Sequence, residues 1–395
     1  MFGVQKEGLT DEQRLIITTV DRMMQKYDDE YWHDLEAAKK YPEEFVREMD
    51  TSGLAALTIG HEFGGSELGI REASLVLEEI NALGGNSQPF HGQYYLSFML
   101  GKYASKFLKE KYLPQVASGK LRLQSLALTE PEAGSESTRI KTLAKRNDDD
   151  NSYNLSGRKI FISRVEQTDL MIVVARTKPY EEVENKTEGI SIFLVDLKDS
   201  PNGIEARRID MMFNSQTYEL VFDNLKVPKE NLIGEEGRGF KCLLGALNPE
   251  RILLASECIG DARWFLKKSV DYANSRVVFG RQIGANQGVQ FPIAETYSKL
   301  VAAEKVRWSA AELYDAGAEA RTIGEYANIA KYLAAECSWQ AANVAMDVYG
   351  GQGLAVDSHI ERKLRETRLY KVAPIAQNLV LAYIAHSVLG LPRSY

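Results

Sequence analysis

The sequence is poor in the residues that build covalent or metal scaffolds. It has three cysteines in 395 residues, Cys242, Cys258 and Cys337, none in CxxC spacing and all in apolar, helix-like surroundings. Disulfide frameworks and zinc sites are thereby excluded, and reduced thiols in a cytoplasmic protein are the expectation. No run approaches the roughly 18 consecutive apolar residues that span a bilayer, and Met1–Lys6 leads into a polar helix start rather than a signal peptide. Basic charge is not concentrated either. Lys and Arg number 48 against 55 Asp and Glu, a net charge of −7, which argues against a sequence-independent grip on nucleic acid. No GxGxxG fingerprint follows a strand, and Gly234–Gly239 lacks the GxxxxGK(S/T) ending of a phosphate loop, so it reads as a turn into a helix. Internal repeats and low-complexity segments are also missing. What remains is globular composition, 44% hydrophobic and 26% charged, in a chain long enough for several domains with a large core.

The pattern changes twice along the chain. From Leu9 to Ser118 it is helical, opening on Thr10 with Glu12 and Gln13 as a capping cluster and continuing through Leu15, Ile16, Val20 and Met23. Between Leu123 and Val227 it becomes short apolar or alternating runs, at Leu126–Thr129, Ile160–Ser163, Leu170–Arg176, Ile190–Asp196 and Tyr218–Phe222. Turns at Asn147–Ser152 and Ser200–Gly203 separate them. After Gly239 helical spacing returns: Ile323, Tyr326, Ala330, Leu333, Cys337, Ala341, Val344 and Val348 step by three or four until Gly350-Gly351 stop them. That stripe carries little flanking charge, which predicts a helix buried on more than one face. Strands in one block rather than alternating with helices argue against Rossmann and TIM architectures.

Four segments could carry chemistry. Leu128–Glu136 is a strand end followed by a small-residue turn whose backbone N–H groups could face an anion. Asn248-Pro249-Glu250-Arg251 reads as a well-capped helix start, with Asn248 as N-cap, Pro249 at the first helical position and Glu250 in the first turn. Arg276–Arg281 and Tyr349–Gly353 read as helix ends. Each has a purely structural account when taken alone; His61, His91 and His359 likewise read as surface or packing residues.

Taken together and in order, these segments resemble the acyl-CoA dehydrogenase family of flavoproteins over essentially the whole chain. Glu62-Phe63-Gly64-Gly65-Ser66 is similar to the family's EYGG turn, and Tyr112–Gly119 to its KYLP segment. Thr129-Glu130-Pro131 with Gly134-Ser135 is similar to TEPxAGS, Gly157–Ser163 to GxKxWIT, and Phe222–Pro228 to FDxVxVP. The resemblance implies an α+β multidomain fold: a helical domain at 1–121, a central antiparallel β domain at 122–235 and a C-terminal four-helix-bundle domain at 236–395. It implies FAD as cofactor. Leu126, Leu128 and Thr129 would face the flavin ring, while Gly134 and Ser135 would meet the pyrophosphate and the substrate side. Phe161, where the family usually has Trp, would pack against the ring, next to Ile162, with Ser163 placing a hydroxyl near it. Arg276 would meet a phosphate of FAD bound mainly by another subunit, a task suited to a permanently charged fork of donors. Phe279, Gln287, Gly350 and Gly351 would complete that site in a homo-oligomer, dimer or tetramer, and Asp347, Ala376 and Asn378 would also meet the cofactor.

The implied reaction is α,β-desaturation of an acyl-CoA thioester, with a carboxylate taking the α-proton and electrons passing to an electron-transfer flavoprotein. Where many relatives carry the base in a C-terminal Glu-Gly-Thr, this chain has Pro374-Ile375-Ala376. A branch that includes isovaleryl-CoA and long-chain enzymes places it before the arginine of a C-domain helix, which here makes Glu250 the expected base, with Asn248, Arg251, Ser135 and Ile375 toward substrate. A helix N-terminus and Arg251 would favour the ionised carboxylate, and burial would oppose them. Pro374 has no N–H to polarise the thioester, so either a one-residue shift lets Ile375 or Ala373 donate, or the thioester is held differently. Two other readings are an acyl-CoA oxidase or flavin monooxygenase of the same fold, and a non-catalytic flavin- or CoA-binding subunit.

Overall fold

A computed structural model of the chain describes residues 8–199 and 202–394, so Met1–Lys6 and the first half of the turn at Ser200–Gly203 lie outside the described residues. Six helices come first: α1 (Asp11–Met24), α2 (Asp29–Ala38), α3 (Glu43–Thr51), α4 (Ile70–Ala82), α5 (Gln88–Tyr103) and α6 (Lys106–Ala117). The strands follow: β1 (Leu123–Ala127), β2 (Leu143–Asn147), β3 (Ser152–Ser163), β4 (Leu170–Arg176), β5 (Ile190–Asp196), β6 (Ile204–Ile209), β7 (Thr217–Pro228) and β8 (Leu232–Ile233). The chain then enters α7 (Gly239–Ser275), a hairpin of β9 (Val277–Val278) and β10 (Arg281–Gln282), and helices α8 (Gln287–Asp315), α9 (Ala320–Tyr349), α10 (Ile360–Arg368) and α11 (Gln377–Tyr383). The order helical, β, helical is the one the sequence pattern implies. By contacts the chain forms two compact units, one of 41–68 and 88–247, the other of 1–40, 69–87 and 248–395.

The first unit holds the sheet, in the order β6-β7-β3-β2-β4-β5-β8. It is not purely antiparallel: β1 joins it parallel to β4, pairing Ala127 with Val173. β4 and β5 are buried along their whole length, which is why they read as continuous apolar runs rather than alternation. β3 and β7 enclose the core with Tyr153, Leu155, Tyr218, Leu220 and Phe222.

The second unit is helical. Thr10 accepts from the Gln13 amide in a full capping box, and Ile16, Val20 and Met23 are buried, but Leu15 is 67% exposed because it lies on the opposite face of α1. α4 is capped from far along the chain, its Ile70 and Arg71 amides donating to Asp315 at 2.8 and 3.0 Å. α9 is buried on a wide face, from Ile323 and Gly324 through Ala330, Lys331, Ala334 and Cys337 to Ala345. Gly350 ends it at φ +56.

One local expectation fails. No helix starts at Asn248, because α7 runs uninterrupted through Pro249. The buried positions Leu243, Ala246, Pro249, Glu250 and Leu253 continue one stripe across the proline, so burial outweighs the single backbone hydrogen bond that proline removes. The Asn248 carboxamide does not cap; its oxygen accepts from Arg251 Nη1 at 3.1 Å.

Candidate active site

Each unit assembles its own cluster of motif residues. In the sheet unit, β1 ends at Ala127, so Leu128 and Thr129 lie past the strand rather than within it. The chain then turns sharply, with Glu130 and Ala133 exchanging backbone bonds of 3.3 and 3.1 Å. Glu130 points inward, 3% exposed, and accepts from Lys159 Nζ at 2.9 Å and from the Lys141 and Thr142 amides at 2.5 and 2.9 Å. Lys159 is wholly buried and also donates to the Leu128 carbonyl at 2.9 Å, while the Ile160 amide donates to Thr129 O at 2.9 Å. The turn is therefore clamped onto β3. Burial pulls the Lys159 ammonium down to about 8 against the opposing pull of Glu130. Burial alone would raise Glu130, yet Lys159 and the amide donors hold its carboxyl below the usual range. The sequence reading gave neither residue a role, although both sit inside the quoted motifs.

Past the clamp, Gly134 and Ser135 are exposed. Phe161 occupies a register shift between Lys159 and Ile162 against β7, at φ +59 and 56% exposed. A bulky aromatic is strained in this left-handed region, and an extra residue in one strand re-aims its side chain outward. Ser163 is half-buried and its carbonyl accepts from Ser125 Oγ at 2.6 Å, tying β1 to β3. The structure thus brings together the half-buried Leu126, Leu128, Thr129 and Ser163 with Phe161. Ile162 differs: its side chain is 1% exposed and belongs to the sheet core, so only its backbone can face a ligand.

In the helical unit, the ends of α7 and α9 meet where Tyr272 stacks on Tyr349 with ring centroids 4.1 Å apart. Exposed Arg276 lies one turn past Tyr272, and Gly350 and Gly351, where a Cβ would meet nothing within 4 Å, follow Tyr349. Phe279 forms the tip of the β9–β10 hairpin, fully exposed at φ +51. Gln287, Asp347 and Asn378 are also exposed, while Ala376 is half-buried.

The same unit buries Glu250 and Arg251 in the interior of α7, at 3% and 8% exposure. Glu250 therefore lies far beyond the first turn, and the helix N-terminus expected to favour its ionised form is not there. Burial pulls the Arg251 guanidinium down, opposed by Glu250 and Tyr383. A Cβ on Gly324 would come within 2.9 Å of the Tyr383 hydroxyl and 3.9 Å of Asn248 Nδ2. Fully buried Lys331 donates from Nζ to the Ile375 carbonyl at 2.8 Å. Lys331 and Tyr383 escaped the sequence reading; a lysine inside the apolar α9 stripe was the available signal for the first.

Comparison with known proteins matches this geometry to one family. Sequence models of the acyl-CoA dehydrogenase N-terminal, middle and C-terminal domains match residues 10–120, 125–225 and 237–386. The acyl-CoA dehydrogenase FadE12 of Mycobacterium tuberculosis is 32% identical over 394 residues, 98% of each chain. The mitochondrial isovaleryl-CoA dehydrogenase of Pongo abelii is 31% identical over 372 residues, covering 92% of this chain and 86% of its own. A solved structure of PigA with FAD and proline superposes with a TM-score of 0.89 at 25% identity, covering 98% of this chain and all of that one. The chain belongs to the acyl-CoA dehydrogenase family of oxidoreductases.

Proposed function

We propose that the protein binds FAD and desaturates an acyl-CoA thioester between Cα and Cβ, with Glu250 removing the α-proton. One observation carries this reading: Glu250 is a buried carboxylate beside buried Arg251 in the interior of α7, in a chain that has Pro374 where relatives place their other base. A carboxylate held out of water in an apolar interior is suited to take up a proton from a bound substrate.

The residues present fit FAD. An aromatic face held outward by a strained bulge at Phe161 suits a planar ring, and the open N–H-rich turn at Gly134-Ser135 and the Arg276 fork suit phosphates. Phe279, Gln287, Gly350 and Gly351 would serve the same cofactor in a neighbouring copy. When bound, FAD supplies the acceptor for the β-hydrogen and its electron pair. The chain's own residues do the rest: Thr129 and Ser163 offer hydroxyls, Phe161 holds the ring in place, and Glu250 takes the proton. The α-proton ends on Glu250 and is released as the base is regenerated.

An electron-transfer flavoprotein as acceptor, a homo-oligomeric state and a cytoplasmic location complete the proposal. Exposed Phe279, Phe291, Leu354 and Val356 on the helical unit support self-association. Anaerobic titration of the flavoprotein with straight, branched and aromatic acyl-CoA thioesters should bleach the oxidised flavin with at least one. Rapid oxygen consumption during turnover would move the protein to the oxidase reading, and a yellow protein that never bleaches would mark a non-catalytic subunit.

A further inference from the structure

We propose that Asn328 is a substrate-binding residue: with Asn248 and the Tyr383 hydroxyl it forms a polar notch at Gly324 that takes a secondary amide of the thioester arm, the one two methylenes beyond the sulfur. This rests on reading the protein as acting on an acyl-CoA thioester with Glu250 as base. Asn328 lies on the buried face of α9, one helical turn beyond Gly324, and is 3% exposed. Its Nδ2 donates to the Gly324 carbonyl at 2.7 Å, while its Oδ1 is shielded from solvent and makes no hydrogen bond among the described residues. A buried carboxamide oxygen without a donor is costly, and in a folded protein such a group calls for a partner.

The orientation of both carboxamides follows from their neighbours. The Gly324 carbonyl only accepts, so Asn328 turns its nitrogen to it and its oxygen away. Arg251 only donates, so Asn248 turns its oxygen to Nη1, at 3.1 Å, and its nitrogen away. That nitrogen lies by the same glycine: a Cβ on Gly324 would come 3.9 Å from Asn248 Nδ2 and 2.9 Å from the Tyr383 hydroxyl. With no side chain at 324, α7, α9 and α11 bring a donor, an acceptor and a hydroxyl to one place. A secondary amide carries the complementary pair, an N–H for Asn328 Oδ1 and a carbonyl for Asn248 Nδ2. A phosphate or carboxylate offers no N–H, and an acyl chain offers neither group. Around α7, at about 100° per residue, Arg251 lies between Glu250 and Asn248, so an arm leaving the base along that flank reaches the notch.

The test compares an acyl-CoA with the same acyl-CoA in which that amide N–H is replaced by an ester oxygen. Equilibrium binding is measured on full-length, flavin-loaded Glu250→Gln, where no turnover consumes the ligand. Asn328 Oδ1 can accept only from the amide, so the amide compound should bind about tenfold tighter. Adding Asn328→Leu should abolish that preference by weakening the amide compound alone; Asn328→Ala serves where the leucine does not pack. Equal affinities of the two compounds before any change at 328 would overturn the proposal. So would a loss of affinity for both compounds in the Asn328 variants that leaves their ratio unchanged, which marks a packing residue. Bleaching of Glu250→Gln by the acyl-CoA, or no binding of either compound, would instead overturn the proposed function, and this placement of the arm with it.

Discussion

The two clusters reach rigidity by opposite means. In the sheet unit the backbone itself is distorted: Phe161 sits at φ +59 in a register shift, and a buried ion pair, Glu130 with Lys159, clamps the neighbouring turn. In the helical unit the backbone around Glu250 is regular helix, and what is unusual is the burial of charge: Glu250, Arg251 and Lys331 here, and elsewhere Arg263 on Glu78 and Glu79, or Lys363 on Asp261. Strain shapes a surface that must present an aromatic face and amide donors outward. Regular helices suit a group that has to work in a shielded, low-dielectric setting.

The comparison can be broken most severely at the clamp. Lys159→Met leaves the Glu130 carboxylate buried with its amides alone and should cost about 3–5 kcal/mol in denaturant unfolding, with loss of bound flavin. A cost under about 1 kcal/mol would show that the pair is ornamental. Relieving the strain is the complementary test: Phe161→Gly suits the positive φ, so the apoprotein should lose less than about 1 kcal/mol or gain slightly, while FAD binding weakens through loss of the aromatic face.

The pH responses of the two units should have opposite signs. The Glu130 carboxyl is held below its ordinary 4.5, so its contribution is present above that value and lost as pH falls below it. Asp261 is pushed up to about 6, by burial first, from 3.8; the folded form binds the extra proton, so its contribution is present below 3.8 and lost as pH rises through 6. Amide exchange near β3 and near α7 across this range should therefore diverge, and parallel trends would contradict the contrast. The smallest effect is at the thiols. Half-exposed Cys242 should react with a thiol reagent in the native state, whereas buried Cys258 and Cys337, the latter pushed up to about 12 by burial, should react only on unfolding.

The same contrast explains what could be read beforehand. Turns, strand ends and caps are set by short-range chemistry, so the Thr10 capping box, the extents of β4 and β5 and the Gly350 stop were legible. Thr129 and Phe161 were named from the resemblance, but the end of β1 before Thr129 and the positive φ of Phe161 had no mark in the sequence. Inside a long helix the local signals mislead. Pro249 after Asn248 looks like a start, but the apolar stripe on both sides keeps α7 continuous. The one local mark of Lys331 is its charge inside the apolar α9 stripe; its partner is Ile375, 44 positions along the chain. Asp315 capping α4 across 245 positions is the same lesson for stability.

The central claim is that Glu250 is the base. Glu250→Gln is nearly isosteric and cannot take a proton at working pH, so the purified variant should retain FAD yet lose bleaching by acyl-CoA about 10²- to 10⁴-fold under anaerobic conditions, with Glu250→Asp recovering part of it. Bleaching at the wild-type rate by flavin-loaded Glu250→Gln would contradict the account.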